Sequence, residues 1–218
     1  MKILQTICTL LFGVAVLLFF GLAYPQHLHY QEQFQLFLFD SNYVWEIVKL
    51  PGGIADLLGR FCTQFFLFAW VGAAIIAVLL VAVQLLTLRL TNWGWFYGLS
   101  FVPSFLLWLF LLDENALLSG VWAVLLTLLA SWAFNAVPRG LTRRILLIAA
   151  IPILYWIVGP ICLVFFLLQA AGINGKVETP LESKVKGDAA WYCVVFLLLA
   201  VMPFLLSYYL PVATGNLW

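Results

Sequence analysis

Charge is what this sequence has least of. Only 9% of its 218 residues are charged, whereas 66% are hydrophobic. A water-soluble domain usually carries about 25% charged residues, so this chain cannot form a surface of ordinary polarity. Disordered chains are rich in charge and poor in hydrophobic residues, which excludes disorder as well. The composition therefore predicts an integral membrane protein whose surroundings are mostly lipid.

Other features that are scarce narrow the function. A net charge of +1 excludes a nucleic-acid partner, which would need a large basic surface. The sequence contains no phosphate-binding glycine loop, nucleophile elbow or zinc signature, so any cofactor or metal is unknown at this point. The cysteines lack C-x-x-C spacing and fall in or beside apolar stretches, which indicates small apolar fillers. These are Cys8, Cys62, Cys162 and Cys193.

Six stretches are apolar and close to the length of about 20 residues that a transmembrane helix needs. They are residues 3–24, 65–88, 95–112, 116–137, 145–171 and 190–210. Backbone polar groups find no partner in lipid, so each stretch should be helical. The predicted fold is an all-α integral membrane protein, a six-transmembrane-helix bundle that forms a single membrane domain over residues 1–218. Formal charges are absent within these stretches, which argues against proton-coupled transport by this chain alone.

The first stretch has two interpretations. Lys2 and the small residues near Gly21 and Ala23 would suit a cleaved secretory signal. The apolar run is longer than the usual signal core of about 7–15 residues, which favours a retained anchor. Within the fifth stretch, Gly159-Pro160 is the best place for an unwound segment, and local adjustment of the helix is the commoner alternative at such a pair.

The charged residues indicate an orientation. Basic residues without acidic neighbours fall at the N-terminus and in the even-numbered turns, and the densest group is the turn 138–144. Since Lys and Arg mark the cytoplasmic side, we expect a cytoplasmic N-terminus and outer loops at 25–64 and 172–189. The count of Lys and Arg is nevertheless equal on the two sides, because half of them fall in the outer loops. Those five are Lys49, Arg60, Lys176, Lys184 and Lys186.

The loop 25–64 is amphipathic and rich in aromatic residues. Pro25 ends the first span, and residues 33–38 suit either a short strand or a helix on the membrane surface. Asp40 is a good capping residue for a helix that presents Tyr43, Val44, Ile47 and Val48 on one face. After the break at 51–53, a second helix presents Ile54, Leu57, Leu58 and Phe61, with Asp56 and Arg60 paired on its wet side. The loop therefore predicts two short helices lying flat on the outer leaflet.

Two carboxylates in this loop are the candidate catalytic residues, Glu32 and Asp40. At a lipid–water boundary, either could act as a general base or metal ligand on a membrane-borne substrate. The plainer interpretations are a helix cap for Asp40 and a solvated charge for Glu32. His27 and His29 would form a metal pair if the chain were extended, but no third ligand has suitable spacing. The last outer loop, 172–189, has the composition of a solvated connector.

A resemblance arises at the same loop. Its segments Y-Q-E-Q-F-Q-L-F at 30–37, P-G-G-I-A-D-L-L at 51–58 and F-C-T-Q-F-F at 61–66 resemble an uncharacterised family of bacterial polytopic membrane proteins. That resemblance implies a location in the bacterial inner membrane and no known activity. The loop is also similar, more weakly, to the first outer loop of GT-C-fold glycosyltransferases, which carries an acidic residue after the first span.

Two functions are therefore open from the sequence. The similarity to GT-C enzymes implies a glycosyltransferase, or its membrane module, that takes a sugar from a polyprenyl-phosphate lipid and uses Glu32 or Asp40. The alternative is a non-enzymatic subunit or scaffold of a membrane complex, whose partners are lipids and another membrane protein. The uncharged spans and the lack of a strong catalytic motif support this alternative.

Overall fold

The computed structural model describes residues 2–35, 37–91, 97–137 and 141–170, and no strand occurs among them. The α-helices are α1 Lys2–Leu18, α2 Pro25–Phe34, α3 Ser41–Val48, α4 Gly53–Thr63, α5 Ala69–Thr91, α6 Val102–Phe110, α7 Leu118–Phe134, α8 Leu141–Val158 and α9 Cys162–Ala170. A π-helical turn, Phe19–Ala23, extends α1. Short 3-10 helices lie at Gln64–Leu67, Tyr97–Phe101 and Gly159–Ile161.

In the part of the chain that the structure describes, three apolar helical segments are long enough to cross a membrane: Ile3–Ala23, Ala69–Leu90 and Ile145–Gln169. They correspond to the first, second and fifth predicted spans and support a membrane location. The third and fourth predicted spans correspond to shorter apolar helices, Tyr97–Phe110 and Leu118–Phe134. The sixth stretch, 190–210, and the loop 172–189 lie outside the described residues, so the six-helix bundle stays a prediction.

Helix α5 is at the centre of the described bundle and packs against α1, α6 and α7. Helix α1 runs antiparallel to it, because Gly13 faces Val81 and Gly21 faces Trp70. Helix α7 runs parallel to α5, since the Arg89 guanidinium lies 5.9 Å from the Trp132 ring centre near the C-terminal ends of both helices. One end of the bundle therefore holds the start of α5 and α7, and the other holds their ends.

The segment 25–67, which we call the cap, contains three α-helices where the sequence predicts two. Pro25 occupies the first turn of α2, where its missing N–H costs no helical hydrogen bond. Of residues 33–38, Gln33 and Phe34 end α2, whereas Gln35, Phe37 and Leu38 lie in neither a helix nor a strand, so neither interpretation holds for the described part of this segment. Helix α3 has the predicted faces: Ile47 is buried, whereas Glu46 and Lys49 are exposed.

The sequence does not predict the packing of α4, which lies along α7. The orientation of the cap helices on the leaflet stays a prediction. The buried face of α4 consists of small residues four apart, Ala55, Gly59 and Thr63. The larger apolar residues expected to form this face, Ile54, Leu57, Leu58 and Phe61, are only half-buried or exposed. Small residues allow two helix backbones to approach closely, and this close packing drives helix association where lipid surrounds the protein.

The fifth predicted span is broken where the sequence indicates, at Gly159-Pro160. Gly159 has a φ of 67°, a left-handed conformation that glycine adopts at little cost. Beyond the break, the ring of Phe165 meets the ring of Phe134 edge-on at 5.5 Å. Helix α8 is about 27 Å long and begins seven residues after Phe134, so this contact requires the chain to bend.

Candidate functional site

The two predicted carboxylates lie on different helices of the cap. Glu32 is half-exposed on α2, and Asp40 is exposed at the residue before α3. The backbone of Asp40 is extended, as in a helix cap, but its side chain forms no capping hydrogen bond. Its backbone carbonyl instead accepts the first hydrogen bond of the helix, from the Val44 amide at 3.0 Å. Catalytic roles for Glu32 and Asp40 therefore stay predictions.

The sequence reasoning missed the buried polar face of α2. His27, Gln31 and Gln35 are four residues apart and are only 3%, 4% and 7% exposed. Gln31 Nε2 donates to the backbone carbonyl of Ala116 at 2.6 Å, and Gln64 Nε2 donates to the carbonyl of Gln35 at 2.9 Å. The four-residue spacing of these polar residues is the sequence signal that identifies this face.

Several atoms on this face have no hydrogen-bond partner among the described residues. They are both ring nitrogens of His27 and the side-chain carbonyl oxygens of Gln31 and Gln35. Each buried polar group left in this way costs about 1–3 kcal/mol. The face can accept hydrogen bonds from a water molecule or from a hydroxyl or ammonium group. The proposed pairing of His27 with His29 does not form, because α2 places His29 on its exposed side.

Burial sets the protonation state of His27. Its ring stacks on Tyr24 with the centres 5.0 Å apart, in an environment that disfavours the charged form. Desolvation lowers the pKa of His27, and the Glu114 carboxylate, the Leu111 backbone and Asp113 oppose this to a smaller extent. His27 is therefore a neutral imidazole near pH 7, held between α2 and the turn before α7.

We expect acid to weaken this packing. The folded-state pKa of His27 lies below its ordinary value of 6.5, so the unfolded chain binds more protons as the pH falls through 6.5. The stability contributed by neutral His27 is present above pH 6.5 and is lost as the pH falls through the folded-state pKa. The measurement is the thermal unfolding midpoint in detergent between about pH 7.5 and 5.5, the range in which histidine titrates.

Substitution of His27 tests whether this residue causes the fall of the unfolding midpoint in acid. His27→Phe retains a ring against Tyr24 but cannot titrate, so it should reduce the fall of the midpoint with acid. His29→Gln removes an exposed imidazole on the same helix and should leave the fall unchanged. A pH dependence that persists in full in His27→Phe contradicts the assignment.

An ion pair within α4 also contacts α3. Arg60 Nε donates to Asp56 Oδ2 at 2.9 Å, as the four-residue spacing predicts, and Arg60 Nη1 reaches the Tyr43 hydroxyl at 3.4 Å. The expected wet location is only partly correct, because the two side chains are 33% and 24% exposed. Burial raises the pKa of Asp56, and Arg60 lowers it to a smaller extent. The pair stabilises α4 and joins it to α3.

A second polar cluster lies deep between α1, α5 and α6. Gln84 is fully buried and donates to Ser100 Oγ at 2.9 Å, while the Thr9 hydroxyl lies 3.3 Å from Gln84 Oε1. The Tyr97 hydroxyl lies 2.6 Å from Thr9 Oγ1 and donates to the backbone carbonyl of Gln5 at 2.6 Å. Gln84 therefore joins α5 to α1 and to the 3-10 helix before α6. The groups partner one another, so the cluster is structural.

Two apolar cavities open beside α5. The first, which we call the α1–α5 groove, has a volume of about 430 Å³. Its lining includes the small residues Gly13, Ala74, Ala77 and Ala82. The second has about 370 Å³ and lies between α5, Cys62 and Trp122. Neither cavity is lined by Glu32 or Asp40.

The described residues offer no arrangement for metal chemistry, since no three His, Cys, Asp or Glu side chains among them converge. Cys8, Cys62 and Cys162 are free thiols, as expected of apolar fillers, and Cys193 lies outside the described residues.

Comparison with known proteins gives one match. No curated protein and no solved structure is significantly similar to the chain. A family model described as a family of unknown function, DUF6057, matches residues 1–216, which is nearly the whole chain. This agrees with the resemblance to an uncharacterised family and does not extend to the similarity with GT-C enzymes. The chain belongs to DUF6057, a family of unknown function.

Proposed function

We propose that this chain is a non-enzymatic subunit of a membrane protein complex and that its α1–α5 groove binds a transmembrane helix of another protein. The carrying observation is the groove itself, an apolar cleft midway along two candidate spans and lined by Gly13, Ala74, Ala77 and Ala82. Small residues at this position let a partner backbone approach closely, which is the main source of helix affinity in lipid.

The groove is chemically suited to a helix. Apart from Thr9 at one end, its lining residues are apolar, and Leu10 and Val14 on its rim are 64% and 51% exposed. Thr9 Oγ1 already has hydrogen-bond partners in Gln5 and Tyr97, so a helix seated in the groove buries no unsatisfied hydroxyl there. The occupant we expect is an uncharged helix with small residues on its contact face.

The glycosyltransferase hypothesis requires more than the described residues provide. It needs a cavity open to lipid and water with Glu32 or Asp40 facing it. The two cavities beside α5 are apolar, and both carboxylates lie elsewhere on the cap. Our proposal places the protein in the bacterial inner membrane, with the N-terminus cytoplasmic and the cap outside.

Filling the groove should release the partner. Ala82 is half-buried and lines the groove, so Ala82→Phe places a ring where the partner helix would pack. Overpacking of this kind costs about 1–3 kcal/mol, which predicts a loss of association of roughly 5- to 150-fold. The measurement is the mass and composition of tagged protein purified from native membranes in mild detergent.

A matched variant keeps this test specific. Leu11→Phe adds a ring to a residue of α1 that is 63% exposed and does not line the groove. It should copurify with the same membrane protein, in the same ratio, as the natural chain. Isolation of the natural chain as a monomer bound only to lipid would refute the proposal, as would a complex that Ala82→Phe leaves intact.

A further inference from the structure

Four phenylalanine rings on the cap touch one another in a row. The Phe37 ring meets the Phe39 ring with the centres 5.0 Å apart and meets the Phe61 ring at 5.7 Å. Phe61 in turn meets Phe65 at 5.4 Å. All three contacts are edge-to-face, a geometry that aromatic pairs prefer. We call these four residues the aromatic row; they come from the loop before α3, from α4 and from the 3-10 helix that follows α4.

The aromatic row is open to its surroundings. Phe39 is 87% exposed, more than any other large apolar side chain that the structure describes, and Phe61 and Phe65 are 39% and 43% exposed. Single exposed apolar side chains are common on protein surfaces and need no explanation. A contiguous group of them marks a surface that contacts a membrane or a partner.

One end of the row lies where a candidate span begins. Phe65 is in the 3-10 helix that leads into α5, four residues before the first residue of the span Ala69–Leu90. Phe68 and Trp70, on either side of that first residue, are 65% and 51% exposed. The row therefore adjoins the apolar surface that the start of α5 presents to lipid.

The other border of the row is polar. Tyr43 places its ring edge-on to Phe37 at 5.8 Å, and its hydroxyl lies 3.4 Å from Arg60 Nη1. A side chain with an apolar body and a polar tip suits the boundary between hydrocarbon and lipid headgroups. Asp40 follows Phe39 in extended backbone, where successive side chains point in opposite directions, so its carboxylate points away from the Phe39 ring.

We propose that the aromatic row is a lipid-binding surface, which lies in the leaflet where α5 begins and fastens the loop before α3 to the membrane. The Phe39 ring reaches below the headgroups, whereas Asp40 stays among them because a carboxylate in hydrocarbon is costly. Apolar faces that bind at an interface enter it by about 5–10 Å, which a single ring can reach. The proposal depends neither on the partner helix of the α1–α5 groove nor on which side of the membrane α5 begins.

Lipid is the occupant that fits the chemistry of the row. Its four side chains are phenyl rings, which offer no hydrogen-bond donor or acceptor to orient a protein partner. Protein interfaces usually add about one hydrogen bond per 100–200 Å² to their apolar contacts, whereas lipid chains require none. Through Phe37 and Phe61 the row also holds the loop before α3 against α4. Lipid bound at the row therefore fixes the position of these parts of the cap relative to the membrane.

Spin labels on single cysteines test the proposal. The four native cysteines are replaced by alanine, and the purified chain is placed in vesicles of phosphatidylethanolamine and phosphatidylglycerol. Two collision rates of the label are measured, one with oxygen, which concentrates in lipid, and one with a nickel chelate, which stays in water. Ile153→Cys, exposed within the candidate span Ile145–Gln169, is the lipid reference. Asp113→Cys, in the exposed turn before α7, is the water reference.

The expected result is a lipid-like label at the row and a water-like label beside it. Phe39→Cys should give an oxygen-to-nickel ratio close to that of Ile153→Cys and several-fold above that of Asp113→Cys. Glu46→Cys, on the exposed side of α3, is the matched control and should give the ratio of Asp113→Cys. Phe65→Cys, at the other end of the row, should agree with Phe39→Cys and replaces it if that variant accumulates poorly.

Three results would overturn the proposal. A ratio for Phe39→Cys equal to that of Asp113→Cys places the loop in water. Low collision rates with both reagents at Phe39→Cys show that protein, such as a second copy of this chain, covers the row instead of lipid. Equal ratios for Phe39→Cys and Glu46→Cys show that the row does not differ from the rest of the cap in its contact with the membrane.

Discussion

Gly59→Ala is expected to separate α4 from α7 and to unfold much of the cap. The added Cβ would lie 2.6 Å from the Ser119 amide nitrogen and 2.8 Å from its Cα. Both are backbone atoms of a helix, so no side chain can rotate away and the helices themselves must move apart. Overpacking against an unyielding neighbour costs about 3 kcal/mol, which corresponds to a fall of roughly 10 °C in the unfolding midpoint.

A glycine in open space supplies the control. A Cβ added at Gly98, before α6, would meet no atom within 4 Å. Gly98→Ala should therefore leave the midpoint unchanged or raise it slightly, because alanine restricts the unfolded chain. The midpoints of both variants are measured in the same detergent by tryptophan fluorescence. Equal midpoints for Gly59→Ala and Gly98→Ala would show that α4 does not pack on α7 at this distance.

The sequence predicts the membrane-spanning helices well because lipid imposes a simple length rule. Helices α1 and α5 lie within a few residues of their predicted bounds, and Pro25 ends the first span where expected. The same rule gives one span over Ile145–Gln169, within which the predicted break at Gly159-Pro160 is a short 3-10 turn. The contact between Phe134 and Phe165 does not follow from composition, because it joins residues 31 positions apart in the chain.

The hydrophobic pattern that identifies the buried face of a helix in a soluble protein does not identify the buried face of α4. That pattern places the largest apolar residues in the core, because water drives them inward. In lipid, Leu57 and Phe61 gain little by leaving the surroundings, whereas Ala55 and Gly59 allow close backbone contact. The four-residue spacing of small residues at 55, 59 and 63 is the sequence signal for this face.

In the candidate site, too, local sequence patterns do not reveal which residues are buried. Glu32 is a candidate catalytic residue because a carboxylate can act as a base or as a metal ligand. Its neighbour Gln31, however, is the residue that the fold buries. Which side of α2 faces inward depends on the turn before α7, where Ala116 accepts the Gln31 hydrogen bond. That partner is 85 residues away in the chain, so no local pattern reveals it.

Gly53→Ala is expected to open the turn between α3 and α4, with an effect as large as that of Gly59→Ala. An added Cβ would collide with the carbonyl oxygen of Ile47 and lie 2.9 Å from Val48 Cα. The strain falls on the backbone that presents the Val48 carbonyl to Trp156. The hydrogen bond between Trp156 of α8 and Val48 of α3 should therefore weaken as well. We expect a loss of about 3 kcal/mol, measured as a lower unfolding midpoint.

The neighbouring glycine separates steric collision from backbone strain. Gly52 has a φ of 78°, so Gly52→Ala places an L-residue in the left-handed region at a cost of about 1–2 kcal/mol. The midpoints should therefore fall in the order natural chain, Gly52→Ala, Gly53→Ala. If Gly53→Ala is the milder of the two, the collision with Ile47 is absent and α3 does not return so closely on α4. Such a result would also move Val48 and Gly52 away from Trp156.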